Sequence, residues 1–310
     1  MTRALLAAAL LLAASLPGVS SDSVVVITSD YSVSGAVSTV GVLPPWDVDA
    51  NVASVHSDAV ARERGGLIYV LNRLYADNVQ VLDPHTGFST LIQFSVGPGS
   101  NPEDIAFVSD TRAYVSRYES AWLLEVDPTT GAVTDSIDLS GFADADGLPE
   151  MSGLAYVGGR LFVAVQRIDR DLYWTPVPPS YLVVVDPATN DLVDVDPGTP
   201  GTQAIELAAT NPYGEILVDE ATGHLLVTES GSWGVLDGGV EVIDPATFQS
   251  LGFATTEAFL GGDLNDITRD VDGRAHAVIS VTSPGWEAFV VAWDMASGAL
   301  IEEVHRPGGW

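Results

Sequence analysis

The chain has 310 residues, with 12 Lys+Arg against 42 Asp+Glu, a formal net charge of −30 and no cysteine. That balance excludes nucleic acid and anionic membrane surfaces as partners, because both demand a basic footprint. Every basic side chain is Arg, so Schiff-base and P-loop lysine chemistry is excluded along with disulfides, thiol nucleophiles and zinc–thiolate sites.

The first predicted element is an address. Arg3 precedes an Ala/Leu run over 4–16, broken only by Ser15, and the small residues Gly18 and Ser20 follow. A basic start, a short apolar core and small residues predict a secretory signal over 1–20, cleaved after Ser20. The expected product is a periplasmic or extracellular monomer. No later segment reaches membrane-spanning length.

Residues 24–28, 36–42 and 48–52 then read as three strands, the second to fourth of a four-stranded unit whose first strand is missing. From there one pattern recurs. An apolar strand runs into Asp-Pro or a variant of it, and the acids stand at Asp83, Asp127, Asp186, Asp244 and Asp294. In Asp83-Pro84-His85-Thr86-Gly87, Pro presets φ, the Asp side chain caps backbone N–H groups, and Gly takes a left-handed position. An alternating strand follows each turn, and two strands precede each copy. Four strands at this period predict an all-β fold, a β-propeller of four-stranded blades over 24–304. The blades fall at 24–52 (incomplete), 56–96, 104–139, 152–195, 215–253 and 266–304. No helix is expected after the signal. Only 305–310 follow the last outer strand, too few for another inner strand. The reading therefore favours a truncated end, with six or seven blades in the full-length chain.

Tyr69-Val70-Leu71-Asn72, followed by the strand and turn over 79–87, Val96-Gly97-Pro98 and Asn101-Pro102, resembles the YVTN-repeat propellers, which include YncE-like exported proteins. The resemblance covers most of the chain after the signal. It implies a periplasmic or surface location and a binding or scaffolding role, with no shared catalytic motif to carry over. The chain departs from the family in insertions over 166–182 and 229–240, and in degenerate cores such as Leu226-Val227-Thr228-Glu229.

Two residue sets converge by register on the end of the blades where the second–third-strand loops and the blade-to-blade connections lie. Asp58, Asp104, Glu215 and Asp266 align just before the first strands, with Gly153 at the same place in one blade. Such a ring suits Ca2+ or another hard divalent ion, or else caps turns and pairs with arginine. Asp144, Asp146 and Glu150 form a shortened calcium-like loop, or an Asp/Gly-rich turn. Arg73, Arg117 and Arg167 lie at the loops and can compensate the acids; Tyr173, Trp174, Trp233 and Trp286 add aromatic surface. The preferred reading is a binding or scaffold protein that takes a protein, glycan or small-molecule ligand. The alternative is a metal-dependent, lactonase-like hydrolase. No Gly-x-Ser-x-Gly occurs, and no catalytic residue is assigned.

Overall fold

The computed structural model describes residues 23–270, 273–282 and 287–306. The expected signal and Trp286 lie outside the described residues. The fold is an all-β β-propeller whose described residues form six antiparallel blade sheets, as the repeats predict, and one separate two-stranded hairpin. The described residues divide into two compact units, one of 23–119 with 123–136 and one of 120–122 with those from 137 onward.

In the first unit, β1 (Ser23–Ser29), β2 (Gly35–Gly41) and β3 (Val48–Val55) form a three-stranded sheet in that order. Three strands of this sheet fall among the described residues. β4 (Ala59–Arg64), β5 (Leu67–Asn72), β6 (Asn78–Asp83) and β7 (Ser89–Ser95) form the second sheet. β8 (Pro102–Ser109), β9 (Arg112–Arg117), β10 (Trp122–Asp127) and β11 (Ala132–Asp138) form the third, which lies largely in this unit. Tyr69, Leu71, Val79 and Val81 pack with Ile105, Val115, Leu124 and Val126 in one buried cluster. Both faces of these middle strands are covered, so their near-continuous apolar sequence follows from burial on two sides.

The second unit opens with β12 (Met151–Val157), β13 (Arg160–Val165), the short hairpin β14 (Ile168–Asp169) and β15 (Thr175–Pro176), and β16 (Tyr181–Asp186). The outer edge of this fourth sheet departs from the expected single strand. It is split between β17 (Asp191–Leu192) and β18 (Ile205–Glu206), which pair with opposite ends of β16. Pro197 and Pro200, with Gly198 and Gly201, occupy the gap. Proline has no N–H for the ladder, so the chain leaves β16 and returns. The blade expected to end at 195 therefore reaches Glu206.

β19 (Pro212–Val218), β20 (Leu225–Glu229), β21 (Gly239–Asp244) and β22 (Gln249–Thr256) form the fifth sheet. A single helical turn, α1 (Glu257–Leu260), follows where no helix was expected. β23 (Asp263–Arg269), β24 (Ala275–Val281), β25 (Glu287–Trp293) and β26 (Leu300–His305) form the sixth. Ala155, Phe162 and Val184 pack with Ile216, Leu225 and Ile243, while Leu226 and Val240 meet Ile267, Phe289 and Trp293.

The repeated aspartates are architectural. Each accepts the N–H two or three residues on: His85 on Asp83 at 2.8 Å, Thr129 on Asp127 at 2.9 Å, Ala188 on Asp186 at 2.9 Å, Ala246 on Asp244 at 2.9 Å and Ser297 on Asp294 at 2.8 Å. At three of the five the bonds favour the charged form. The Thr129 hydroxyl lowers the pKa of Asp127, the Ala246 N–H that of Asp244 and the Ser297 hydroxyl that of Asp294.

Candidate functional site

In an antiparallel meander, the second–third-strand loop lies at the same end of a sheet as the connection to the next sheet. At that end β8, β19 and β23 begin earlier than the sequence suggests, so Asp104, Glu215 and Asp266 lie inside strands rather than before them; only Asp58 precedes its strand, β4. The reason is a β-bulge. Register shifts fall at Pro102/Asp104, Met151/Leu154, Pro212/Ile216 and Leu264/Asp266, at or beside the aligned candidate positions. At two bulges the acid satisfies the backbone: Asp104 accepts the Ile105 N–H at 2.8 Å and Asp266 that of Ile267 at 2.9 Å. Gly153 also has a steric reason. A Cβ there would lie 2.6 Å from the Gly214 carbonyl oxygen, so that position cannot carry an acid without the strands separating.

Three acids at this end of the first unit, Asp58, Glu103 and Asp104, are held by arginine. Arg73 donates to Asp58 from Nη2 at 2.7 Å and from Nε at 2.9 Å, and its Nη1 donates to Glu103. Burial pushes Glu103 up to about 7, against the pull of Arg73. Arg62 Nε lies 2.9 Å from the buried Asp104 carboxylate. The sequence reading placed Arg73 correctly as a compensating cation and missed Arg62, which sits mid-strand in β4. Arg117 and Arg167 serve other partners. Arg117 Nη1 donates to the Val96 carbonyl at 3.1 Å, and Arg167 Nη1 donates to that of Pro179 at 2.7 Å while its guanidinium lies over Tyr181.

The calcium-like segment is also closed on itself. Asp144 accepts the Asp146 N–H at 3.1 Å, and Asp146 accepts that of Leu148 at 2.8 Å. Glu150 is fully buried; it takes the Ile168 N–H at 3.1 Å and Arg170 Nη2 at 3.1 Å, and Arg170 Nε stands 3.7 Å from Asp146. Burial raises Glu150 to about 7. The guanidinium of Arg170 thus supplies positive charge between Asp146 and Glu150.

Glu150 belongs to a repeated device. Asn101, Glu150 and Asn211 have φ of 49°, 46° and 56°, and their carbonyls accept the N–H of Tyr118, Gln166 and Ser230 at 2.9, 3.2 and 3.0 Å. Each ties the start of an inner strand to the end of the next. Asn tolerates this left-handed backbone; Glu does so poorly, and its buried bonds to Ile168 and Arg170 hold it there.

The long β13–β16 insertion is an ordered hairpin. Asp169 accepts the N–H groups of Asp171 at 2.9 Å and Leu172 at 3.0 Å, and the Val177 N–H reaches the Arg167 carbonyl at 2.7 Å. Its tip presents Leu172, Tyr173 and Trp174, with Tyr173 96 % exposed, and both aromatics have left-handed φ, 57° and 59°. Arg170 lies 5.4 Å from the centre of the Trp174 ring. Trp233, on the β20–β21 loop, packs edge-on against Tyr213 with ring centres 5.7 Å apart.

In the first unit, the equivalent end carries a pocket of about 240 Å³ lined by Leu74, Tyr75, Asp77, Gly99, Asn101 and Glu119. The sequence reading passed over it, although Tyr75 was visible as a loop aromatic. It also missed two buried acids on adjacent strands, Glu229 and Glu241. Glu229 accepts the Ala209 N–H at 2.5 Å and Glu241 that of Ala208 at 3.0 Å. Burial, then the neighbouring Glu241, pushes Glu229 up to about 10, so the Glu229–Glu241 pair favours holding a proton at neutral pH. A lone acid inside the apolar run Val240-Glu241-Val242-Ile243 was the available signal.

No protein-family model matches the chain, and no curated protein matches it. Solved structures do. A Lactobacillus plantarum protein matches with TM-score 0.60 at 12 % identity, covering 94 % of this chain and 82 % of that one. A Bacteroides uniformis protein, provisionally described as a 6-phosphogluconolactonase, matches with TM-score 0.57 at 10 % identity, covering 94 % and 83 %. Hydrazine synthase from Kuenenia stuttgartiensis matches with TM-score 0.55 at 16 % identity over 74 % of this chain; the chain spans 60 % of that protein's length. At these identities the likeness is one of fold.

Proposed function

We propose that this chain is an exported, YVTN-like β-propeller that binds or scaffolds a protein, glycan or small molecule through the end of its sheets bearing the second–third-strand and inter-sheet loops. The observation that carries the reading is the β14–β15 hairpin. It presents Tyr173 and Trp174 to solvent from a backbone fixed by Asp169 and by the Val177–Arg167 bond. Exposed aromatics on a pre-ordered loop lose little conformational freedom on binding, which favours their use as anchors. Loops of this length that stay ordered are commonly functional.

A metal-dependent hydrolase would need the acids of this end free to ligate a cation. Asp58, Glu103 and Asp104 are engaged by Arg73 and Arg62 instead, and Asp146 and Glu150 by Arg170. The binding reading is therefore preferred. Export is tested by sequencing the N-terminus of the protein recovered outside the cytoplasm, with Ser21 expected first. Binding is tested by photo-crosslinking from position 173 in the exporting cell. A discrete adduct lost in Trp174→Ala but kept in Phe253→Ala, an exposed ring on the outer strand β22, supports the reading; no adduct, or one indifferent to Trp174, overturns it.

A further inference from the structure

Glu229 and Glu241 close one end of the apolar layer between the fourth and fifth sheets. Leu225, Val227 and Ile243 face that layer, and the two acids continue the same rows, since side chains two apart share a face. In the β20–β21 ladder Glu241 stands opposite Val227 and Gly239 opposite Glu229, so the acids are diagonal neighbours. Both are fully buried. Together they hold the connection 207–211, which joins β18 to β19 and lies in no strand. Glu241 takes the Ala208 N–H at 3.0 Å, Glu229 takes the next one, Ala209, at 2.5 Å, and Glu241 also accepts from the Ser250 hydroxyl. One oxygen remains. Glu229 Oε1 is buried and receives no N–H or O–H, and Glu229 lies within hydrogen-bonding reach of Glu241.

The surroundings offer no counter-charge. Around the pair, 207–211, β12 and β22 carry no charged residue. β13 and β16 bring Arg160 and Asp186, which pair with each other, and Tyr181, which lies under Arg167. β18 and β19 bring only acids, Glu206 and Glu215. Glu241 is the charged group that acts on Glu229. Two carboxylates this close at the end of an apolar layer cannot both ionise, whereas a proton on Glu229 Oε1, donated to Glu241, satisfies the free oxygen and removes the repulsion. We propose that Glu229 and Glu241 share one proton that locks the 207–211 connection onto the fifth sheet, and that its loss at alkaline pH releases the connection. The lock reaches further. The Leu207 N–H donates to the Ser180 carbonyl, the Asn211 N–H to the Ser180 hydroxyl and the Gly231 N–H to the Thr210 carbonyl, each at 3.0 Å. Ser180 ends the aromatic β13–β16 insertion and Gly231 begins the Trp233 loop, so the connection ties the feet of both. Deprotonation passes the proton to solvent and leaves two like charges buried. Their separation draws Ala208 and Ala209 off the sheet and loosens both loops.

The lock holds whether or not these loops bind a partner, so it stands or falls apart from the crosslink at position 173. The test is infrared spectroscopy of the whole protein, joined to amide hydrogen exchange read by mass spectrometry. At about pH 9 the acids raised only to about 7 are ionised. The difference between the parent and Glu229→Gln is then expected to hold one carboxylic-acid C=O band, fading with a midpoint of about 10. Glu241→Gln, which removes one of the two charges, should lower that midpoint by about one pH unit or more. Exchange of the 207–211 peptide, corrected for its intrinsic rate, should accelerate about tenfold per pH unit above about pH 10 in the parent, with that of β9 unchanged. In Glu229→Gln, whose amide accepts from Ala209 and donates to Glu241, the change should stay below about twofold. No acid band at about pH 9, a band indifferent to Glu229→Gln, or a band removed by CaCl2 (a cation in place of the proton) overturns the proposal. So does exchange of 207–211 with the same pH dependence in both chains, or no faster than that of β9.

Discussion

The two units handle surplus acid in different ways. In the first, four acids are matched to arginine: Asp58 and Glu103 share Arg73, Asp104 has Arg62, and Glu125 takes Arg112 at 2.5 Å. In the second, several acids are buried against backbone N–H groups. Glu257 accepts from Leu264 at 2.7 Å and Gly238 at 2.9 Å, Asp263 from Gly234 at 2.8 Å, and Glu229 lies beside Glu241. The first device opposes protonation without always preventing it, since burial still raises Glu103 to about 7 beside Arg73. The second favours protonation: burial raises Glu257 to about 7 and Glu229 to about 10. An acidic chain with few cations can therefore fold by neutralising part of its acid with protons.

The comparison breaks most visibly at Arg62. Arg62→Ala leaves the buried Asp104 without this cation and is expected to cost about 3 kcal/mol in urea unfolding. A loss under about 1 kcal/mol would mean that Asp104 does not depend on the pair. Gly153→Ala, which brings a Cβ against the Gly214 carbonyl, should cost about 1–3 kcal/mol, read from the same unfolding curve.

Next comes pH. Glu103, Glu150 and Glu257 sit at about 7 and Glu229 at about 10 in the folded chain, against a reference of 4.5. Between these values the folded state holds protons that the unfolded state has released. Stability therefore falls as pH rises from about 4.5 to 7, and for Glu229 on towards 10. The lowered Asp127, Asp244 and Asp294 act oppositely, losing their contribution as pH falls below about 4. Thermal melts should show a maximum near pH 5, roughly, and a lower Tm at pH 8. A Tm that rises from pH 5 to 8 would contradict the raised acids Glu103, Glu150, Glu229 and Glu257.

Glu229→Gln sharpens the point, because Gln mimics a neutral carboxyl. A change within about 1 kcal/mol at pH 7 is expected, with a smaller loss of Tm between pH 8 and 10 than in the parent chain. A large loss at pH 7 would mean that Glu229 is ionised there. Smallest of all, Tyr173→Ala should alter stability by less than about 0.5 kcal/mol, since the ring is 96 % exposed. A larger cost would show that the hairpin tip packs rather than waits for a partner.

The sequence by itself determined the sheets. Asp83, Asp127, Asp186, Asp244 and Asp294 each bond their own next turn, and that local chemistry recurs wherever the residues recur. It also aligned Asp104, Gly153, Glu215 and Asp266, because they mark one irregularity repeated in the inner strands. Tertiary structure alone decided what those positions do. Arg62 and Asp104 are 42 residues apart and meet because β4 lies beside β8. Glu150 gains Arg170 only once the hairpin folds back. Neither the pocket at Tyr75 nor the Glu229–Glu241 neighbourhood has a period, since each is built by loops or strands that face one another once. Backbone hydrogen bonds near in sequence are written in the order of residues; charge pairing across strands depends on which side chains packing brings together.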